Sequence, residues 1–112
     1  FQGQDWYASP PLHNSERTSS FHLFQMRIIG FKSEQRDAVM HALKERGIAT
    51  NVHFIPLPLL SLHKDRGERL DRYPTTERLF NETLSLPIHL QLSDEDVDWI
   101  IAEVILAIES HL

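Results

Sequence analysis

Residues 21 to 30 read Phe21-His22-Leu23-Phe24-Gln25-Met26-Arg27-Ile28-Ile29-Gly30, and the fold turns on them. Side chains alternate between the two faces of a strand, so Phe24, Met26 and Ile28 fall together on one side. The alternation predicts a half-buried strand with those three side chains toward the core. Just downstream, Ser33 is placed to cap a helix by accepting a bond from a first-turn amide. Val39, Met40 and Leu43 then recur at helical spacing, and Gly47 stands where a left-handed residue ends the run.

Reading outward toward the C-terminus, a second strand is expected over about Ala49 to Phe54, closed by Pro56 and Pro58, neither of which can donate to a ladder. Residues 59 to 73 read as a short helical turn and a charged loop around Gly67. Pro74 suits the first turn of a helix running to about Phe80, with Leu79 and Phe80 facing inward. Leu84-Ser85-Leu86-Pro87-Ile88 reads as a short buried strand. Ser93-Asp94-Glu95-Asp96 resembles a capping box with Asp in place of Glu. Beyond it, Val97, Ile100, Ile101, Val104, Ile105, Ile108 and Leu112 trace one apolar stripe, with Trp99 beside it where a neighbouring domain can pack.

Toward the N-terminus, residues 4–19 are polar, contain Pro10-Pro11, and are expected to form a loop or linker. Phe1-Gln2-Gly3 looks like the remnant of a protease-cleavable tag and is set aside. The expected domain is thus residues 20–112, in the order β-α-β-(turn)-α-β-α. The simplest architecture that buries its stripes is α+β: a small three-stranded antiparallel or mixed sheet packed with helices.

Bulk properties bound the function. The 112 residues leave room for one core. Apolar residues at 41% and charged residues at 24% match an ordinary globular composition rather than a disordered one. No apolar run approaches membrane-spanning length and no leader pattern opens the chain, so neither a membrane nor secretion is expected. The absence of cysteine fits a reducing cytoplasm. A net charge of −5, with basic residues scattered among acids, works against nucleic-acid binding.

The chemistry-bearing residues do not assemble a catalytic site. Seven histidines (His13, His22, His41, His53, His63, His89 and His111) include no pair one helical turn apart, so no metal site is expected. There is no cysteine, no Gly-x-Ser-x-Gly elbow, and no run of glycines that could cradle phosphate. The informative segment is Gly47 to Pro58, where a helix end, a strand and a proline-stiffened exit follow within twelve residues. Prolines hold the chain extended there, so His53 and Phe54 are expected at a rigid edge that can reach a neighbouring domain. The bland alternative is a hydrogen-bonded strand-end His53 and a core Phe54.

The same segment carries a resemblance. Lys44-Glu45-Arg46-Gly47-Ile48-Ala49-Thr50 followed by Val52-His53-Phe54-Ile55-Pro56-Leu57 is similar to the "LKERGI.T.VHYIPLH" stretch of the DegT/DnrJ/StrS family of pyridoxal-phosphate (PLP) aminotransferases. Three further stretches agree in order: Ser20 to Ile28 with "S.HLF.IRI", Tyr73-Pro74, Glu77 and Leu84 to Ile88 with "FP.AE…LSLPI", and Leu92 to Val97 with "LTDEDV". The likeness covers about residues 19 to 112. It implies the C-terminal small domain of an enzyme that aminates nucleotide-linked keto sugars. In that family a separate large domain holds PLP through a lysine, and dimers form their active sites at the interface. The lysines of this chain, Lys32, Lys44 and Lys64, lie in no such motif. The resemblance therefore implies PLP in the intact parent, no cofactor expected on this chain alone, a missing large domain, a homodimeric parent and a nucleotide-sugar substrate. It carries His53 and Phe54 over as substrate-binding residues and assigns no catalytic residue here. After "VHYIPL" the family usually continues "HLQPYY", so its second histidine is replaced by Pro58, and two further positions have become Leu60 and Ser61. A non-catalytic binding or dimerisation module built on the same fold is the alternative.

Overall fold

A computed structural model describes residues 1–112. Three strands form one antiparallel sheet in the order β1 (Tyr7–Ala8), β2 (Phe24–Ile28), β3 (Thr83–Leu86). Four helices accompany it: α1 (Ser33–Glu45), α2 (Ser61–Asp65), α3 (Pro74–Glu82) and α4 (Asp94–Glu109). Short 3-10 turns at Leu57–Leu59 and Leu70–Arg72 flank α2. The α+β class and the three-stranded sheet follow the sequence expectation, and every strand pair is antiparallel.

The core lies where the periodic stripes meet. Met26 and Ile28 from β2, Val39 and Leu43 from α1, Leu84 from β3, and Val104 and Ile108 from α4 are fully buried. Phe24 is only half-buried, because it stands at the sheet end beside an open apolar groove. Gly47, at φ +77°, closes α1 with two bonds: its N–H donates to Lys44 O, and the Ile48 N–H donates to Leu43 O. That pairing is the Schellman arrangement, and it folds Ile48 back onto Leu43 within the core. At the start of α4, Ser93 Oγ accepts from the Asp96 N–H at 3.1 Å while the Asp96 carboxylate accepts from the Ser93 N–H at 3.0 Å. The capping box with Asp in place of Glu is therefore real.

Several expectations need correcting. Residues 4–19 are not all loop, because Tyr7 and Ala8 pair with Ile28 and Arg27 as the edge strand. Trp6 beside them is buried, and Phe1 packs against Trp6 and Tyr7 with ring centroids 6.1 and 5.3 Å away. Burying one large apolar side chain is worth about 1.5–3 kcal/mol, so buried Trp6, with half-buried Phe1 and Tyr7 against it, draws this polar segment onto the sheet.

The strand expected over Ala49 to Phe54 shrinks to one bridge, Asn51 with Ser85. Pairing stops because the Asn51 side chain takes the Val52 N–H at 2.7 Å and Gln25 Nε2 takes the His53 carbonyl at 2.8 Å. Pro56 and Pro58 then remove two donors. Ser33 is the first helical residue rather than the cap. Lys32 occupies the cap position, and its N–H donates to Gln35 Oε1 at 3.2 Å. Leu79 is exposed, and the one buried residue of α3 is Glu82. The buried Glu82 carboxylate accepts from Arg27 Nη1 at 2.9 Å and from the Gly30 N–H at 3.2 Å. Val97 and Leu112, at the ends of the expected α4 stripe, are exposed.

Candidate functional site

The segment leaving the Asn51 bridge runs along the outside of α3. Sequence pattern places His53 and Phe54 there, and the structure puts them at that edge with different surroundings. Phe54 is 79% exposed, so it is not a core residue. Its ring stands edge-on to the His53 imidazole, with centroids 4.9 Å apart. The peptide bond joining the two is cis.

His53 is half-buried and held on three sides. Nδ1 lies 2.9 Å from Ser85 Oγ on β3. Nε2 lies 3.5 Å from Asn51 Nδ2, and the His53 carbonyl accepts from Gln25 Nε2. These supports come from a row across the sheet: Gln25 of β2 is the register partner of Ser85, and Ser85 is in turn bridged by Asn51. Sequence reading did not find Gln25, Ser85 or Asn51. The available signal was a polar residue at the middle of an otherwise leucine-rich strand, which normally needs a partner when buried.

Two cavities open along this edge. A cavity of ≈ 200 Å³ is lined by Val52, His53, Phe54 and Pro56 on one side and by Thr76, Leu79, Phe80 and Thr83 of the α3 region on the other. A larger one of ≈ 390 Å³ is lined by Leu57, Pro58, His63, Glu68, Tyr73 and Thr76. Thr76 borders both, so the two lie side by side along the cleft between this segment and the α3 region. Inside the larger cavity the Tyr73 hydroxyl donates to Glu68 at 3.0 Å. That bond, with the carboxylate's negative charge behind it, raises the Tyr73 phenol above its ordinary pKa. Pro58 does line the cleft, and the nearest imidazole in that cavity is His63, one helix farther along.

None of Lys32, Lys44 and Lys64 borders this cleft. The cleft therefore offers no amine for the covalent attachment of pyridoxal phosphate. No three His, Asp or Glu side chains gather closely enough to hold a metal ion. No helix is long and apolar enough to cross a membrane.

Comparison with known proteins identifies the family to which this small antiparallel sheet and its histidine-bearing edge belong. The chain superimposes on a putative sugar aminotransferase, Spr1654 from Streptococcus pneumoniae in its PMP form, with a TM-score of 0.90 and 36% identity. That match covers 96% of this chain and 27% of the other. The PLP form of the same protein matches equally well. The aminotransferase PseC of Helicobacter pylori shares the fold at a TM-score of 0.79 and 23% identity. Among curated proteins, the spore coat polysaccharide biosynthesis protein SpsC of Bacillus subtilis is 33% identical over 107 residues, which are 93% of this chain and 27% of SpsC. The chain belongs to the DegT/DnrJ/EryC1/StrS aminotransferase family, whose pattern matches residues 2–105. It spans about 27% of the length of SpsC and corresponds to a C-terminal portion of sugar aminotransferases.

Proposed function

We propose that this chain is the substrate-facing small domain of a PLP-dependent aminotransferase that transfers an amino group to a nucleotide-linked keto sugar. The observation that carries the reading is the cleft edge formed by His53 and Phe54, on a domain that superimposes at a TM-score of 0.90 on a sugar aminotransferase with PLP and PMP forms. Within it, Phe54 offers an exposed aromatic face and His53 a fixed imidazole, the pairing of apolar platform and oriented polar group that small-molecule sites use. Both are assigned to substrate binding. Pyridoxal phosphate, which supplies the electron sink for amino transfer, is assigned to a large domain outside this chain, a reading supported by the 27% of its relatives' length that the chain spans and by a cleft without lysine. A homodimeric, cytoplasmic parent completes the proposal. The exposed Phe54, Ile55, Leu57, Leu60 and Leu62 are apolar enough to face a partner surface, and the cysteine-free composition suits a reducing compartment.

The test is kinetic and uses the intact parent. His53→Ala should reduce kcat/KM by about 10-fold or more, the loss expected of one hydrogen bond worth about 1.4 kcal/mol, while folding stays intact by circular dichroism. Unchanged kinetics would remove His53 from the site. A parent with no lysine-bearing cofactor domain would leave the non-catalytic module as the reading. This chain alone, mixed with PLP, should develop no stoichiometric cofactor absorbance band; a band abolished by one Lys→Ala substitution would show that it carries the cofactor after all.

A further inference from the structure

The hydrogen-bond pattern around His53 determines which ring nitrogen carries the proton. Asn51 Oδ1 accepts the Val52 N–H at 2.7 Å, and this fixes the orientation of the amide. Its Nδ2, a group that can only donate, is thereby turned toward His53 Nε2 at 3.5 Å. A proton on Nε2 would set two donors against each other. The lone pair must therefore face Asn51, and the proton sits on Nδ1. There it meets Ser85 Oγ at 2.9 Å, a good acceptor distance from a buried hydroxyl.

We infer that Asn51 and Ser85 are positioning residues that hold the neutral form of His53 as the Nδ1–H tautomer, with the Nε2 lone pair turned toward exposed Asn51 at the edge of the cleft. This deepens the substrate-binding reading of His53 and rests on it for its functional consequence. The Asn51 contact is at the long limit of a hydrogen bond. A ligand hydroxyl or amine hydrogen arriving at ordinary distance replaces it without leaving a buried group unsatisfied. A fully ionised phosphodiester or diphosphate oxygen has no proton to give and, while the ring is neutral, meets lone pair against lone pair. The neutral acceptor face therefore favours the hydroxyl-bearing part of such a ligand over its phosphate.

The tautomer can be read directly in this 112-residue chain by nitrogen-15 NMR of the imidazole, in alkaline solution where histidine is neutral. The expected spectrum shows a protonated Nδ1 and an unprotonated Nε2 for His53. Asn51→Asp reverses the requirement at Nε2: one oxygen still takes the Val52 N–H, and the other can only accept. The proton should then move to Nε2. Ser85→Ala should abolish the preference for Nδ1, and Ser85→Thr, which restores a hydroxyl, should recover it if the strand accepts the extra methyl. Asn51 is exposed, so its variant keeps the test alive even if a change at buried Ser85 unfolds the chain. An Nε2–H tautomer in the unaltered chain, or no change with Asn51→Asp, overturns the inference. If the tautomer is as expected but His53→Ala leaves the parent's kinetics untouched, the substrate-binding reading fails while the tautomer assignment stands.

Discussion

Residues 24–48 and residues 52–62 are both rich in apolar side chains, and the molecule treats them in opposite ways. In the first region Met26, Ile28, Val39 and Leu43 vanish from the surface. In the second, Phe54, Ile55, Leu57, Leu60 and Leu62 all stay substantially exposed, and only Pro56 is buried. The difference is periodicity. Apolar residues two apart on a strand or three to four apart on a helix share a face that another element can cover. The second region is broken by Pro56 and Pro58, turns within a few residues, and presents its side chains in several directions. It is held by polar ties instead: Gln25 Nε2 donates to the His53 carbonyl, Asn51 Oδ1 accepts the Val52 N–H, and Ser85 anchors the His53 imidazole. An apolar segment fastened from behind leaves its side chains free to meet something else.

The sharpest way to break this comparison is to truncate one residue in each region. Leu43→Ala should lower stability by about 2–5 kcal/mol, since it removes a fully buried side chain and leaves a cavity. Phe54→Ala in the same chain should change it by no more than about 0.5 kcal/mol, as for other surface positions. Urea melts would show the first as a lower midpoint at unchanged slope. Equal losses at the two positions would mean that Phe54 packs as core.

Next in size is the polar clamp joining β2 to α3. Glu82→Ala strips the acceptor from the Gly30 N–H and from Arg27, and should cost about 1–3 kcal/mol. Arg78→Ala removes only an exposed partner 3.5 Å away and should cost less than about 1 kcal/mol. A reversed order in chemical denaturation would put the weight of the clamp outside the core.

Two glycines extend the comparison to the helix ends. Gly47 and Gly67 both have positive φ, and a methyl group at either would meet no atom within 4 Å. Each Gly→Ala change therefore reports backbone strain alone, about 1–2 kcal/mol. Gly47 closes α1 within the cooperative core, so Gly47→Ala should shift global melting. Gly67 closes the five-residue α2 in the exposed region, so Gly67→Ala should instead speed amide exchange locally. Matching global shifts would show that the two regions unfold as one.

Legibility in the sequence divides along the same line. The strand at Phe24–Ile28, α1 and α4 could be read because their periods are long enough to count. The edge strand Tyr7–Ala8 could not, since two residues carry no period. Ala49 to Phe54 read as a strand because side-chain capture of its amides and carbonyls leaves no mark on composition. Of the proposed site, His53 and Phe54 are singled out by the motif they stand in. Their supports Gln25 and Ser85 meet through strand register, and Asn51 through a bridge, which a linear pattern does not state. Helical spacing places Leu79 inward, but it does not state that the buried place at the end of α3 goes to a carboxylate with two firm partners.

The smallest expected effect compares two exposed carboxylates. Asp96, at the start of the core helix α4, is held below the usual carboxylate range by the Ser93 N–H and then by the Ser93 hydroxyl. Asp71, in the exposed region, is held low chiefly by its hydrogen bond to the Arg69 guanidinium. A depressed folded pKa contributes stability that is present above the unfolded value of about 3.9 and is lost as pH falls through the folded value. Both groups therefore act only on the acid limb. They should part company with salt: an exposed ion pair is screened, whereas bonds to a neutral serine are not. Carboxyl-carbon NMR titrations at low and high salt should show the Asp71 value rising toward normal while Asp96 stays put. Ser93→Ala, which also costs about 1 kcal/mol of cap stability, should raise the Asp96 value only part of the way, because the residue-93 N–H remains. Salt sensitivity at Asp96 equal to that at Asp71 would mean that long-range charge, and not the capping box, sets the acid behaviour of the core helix.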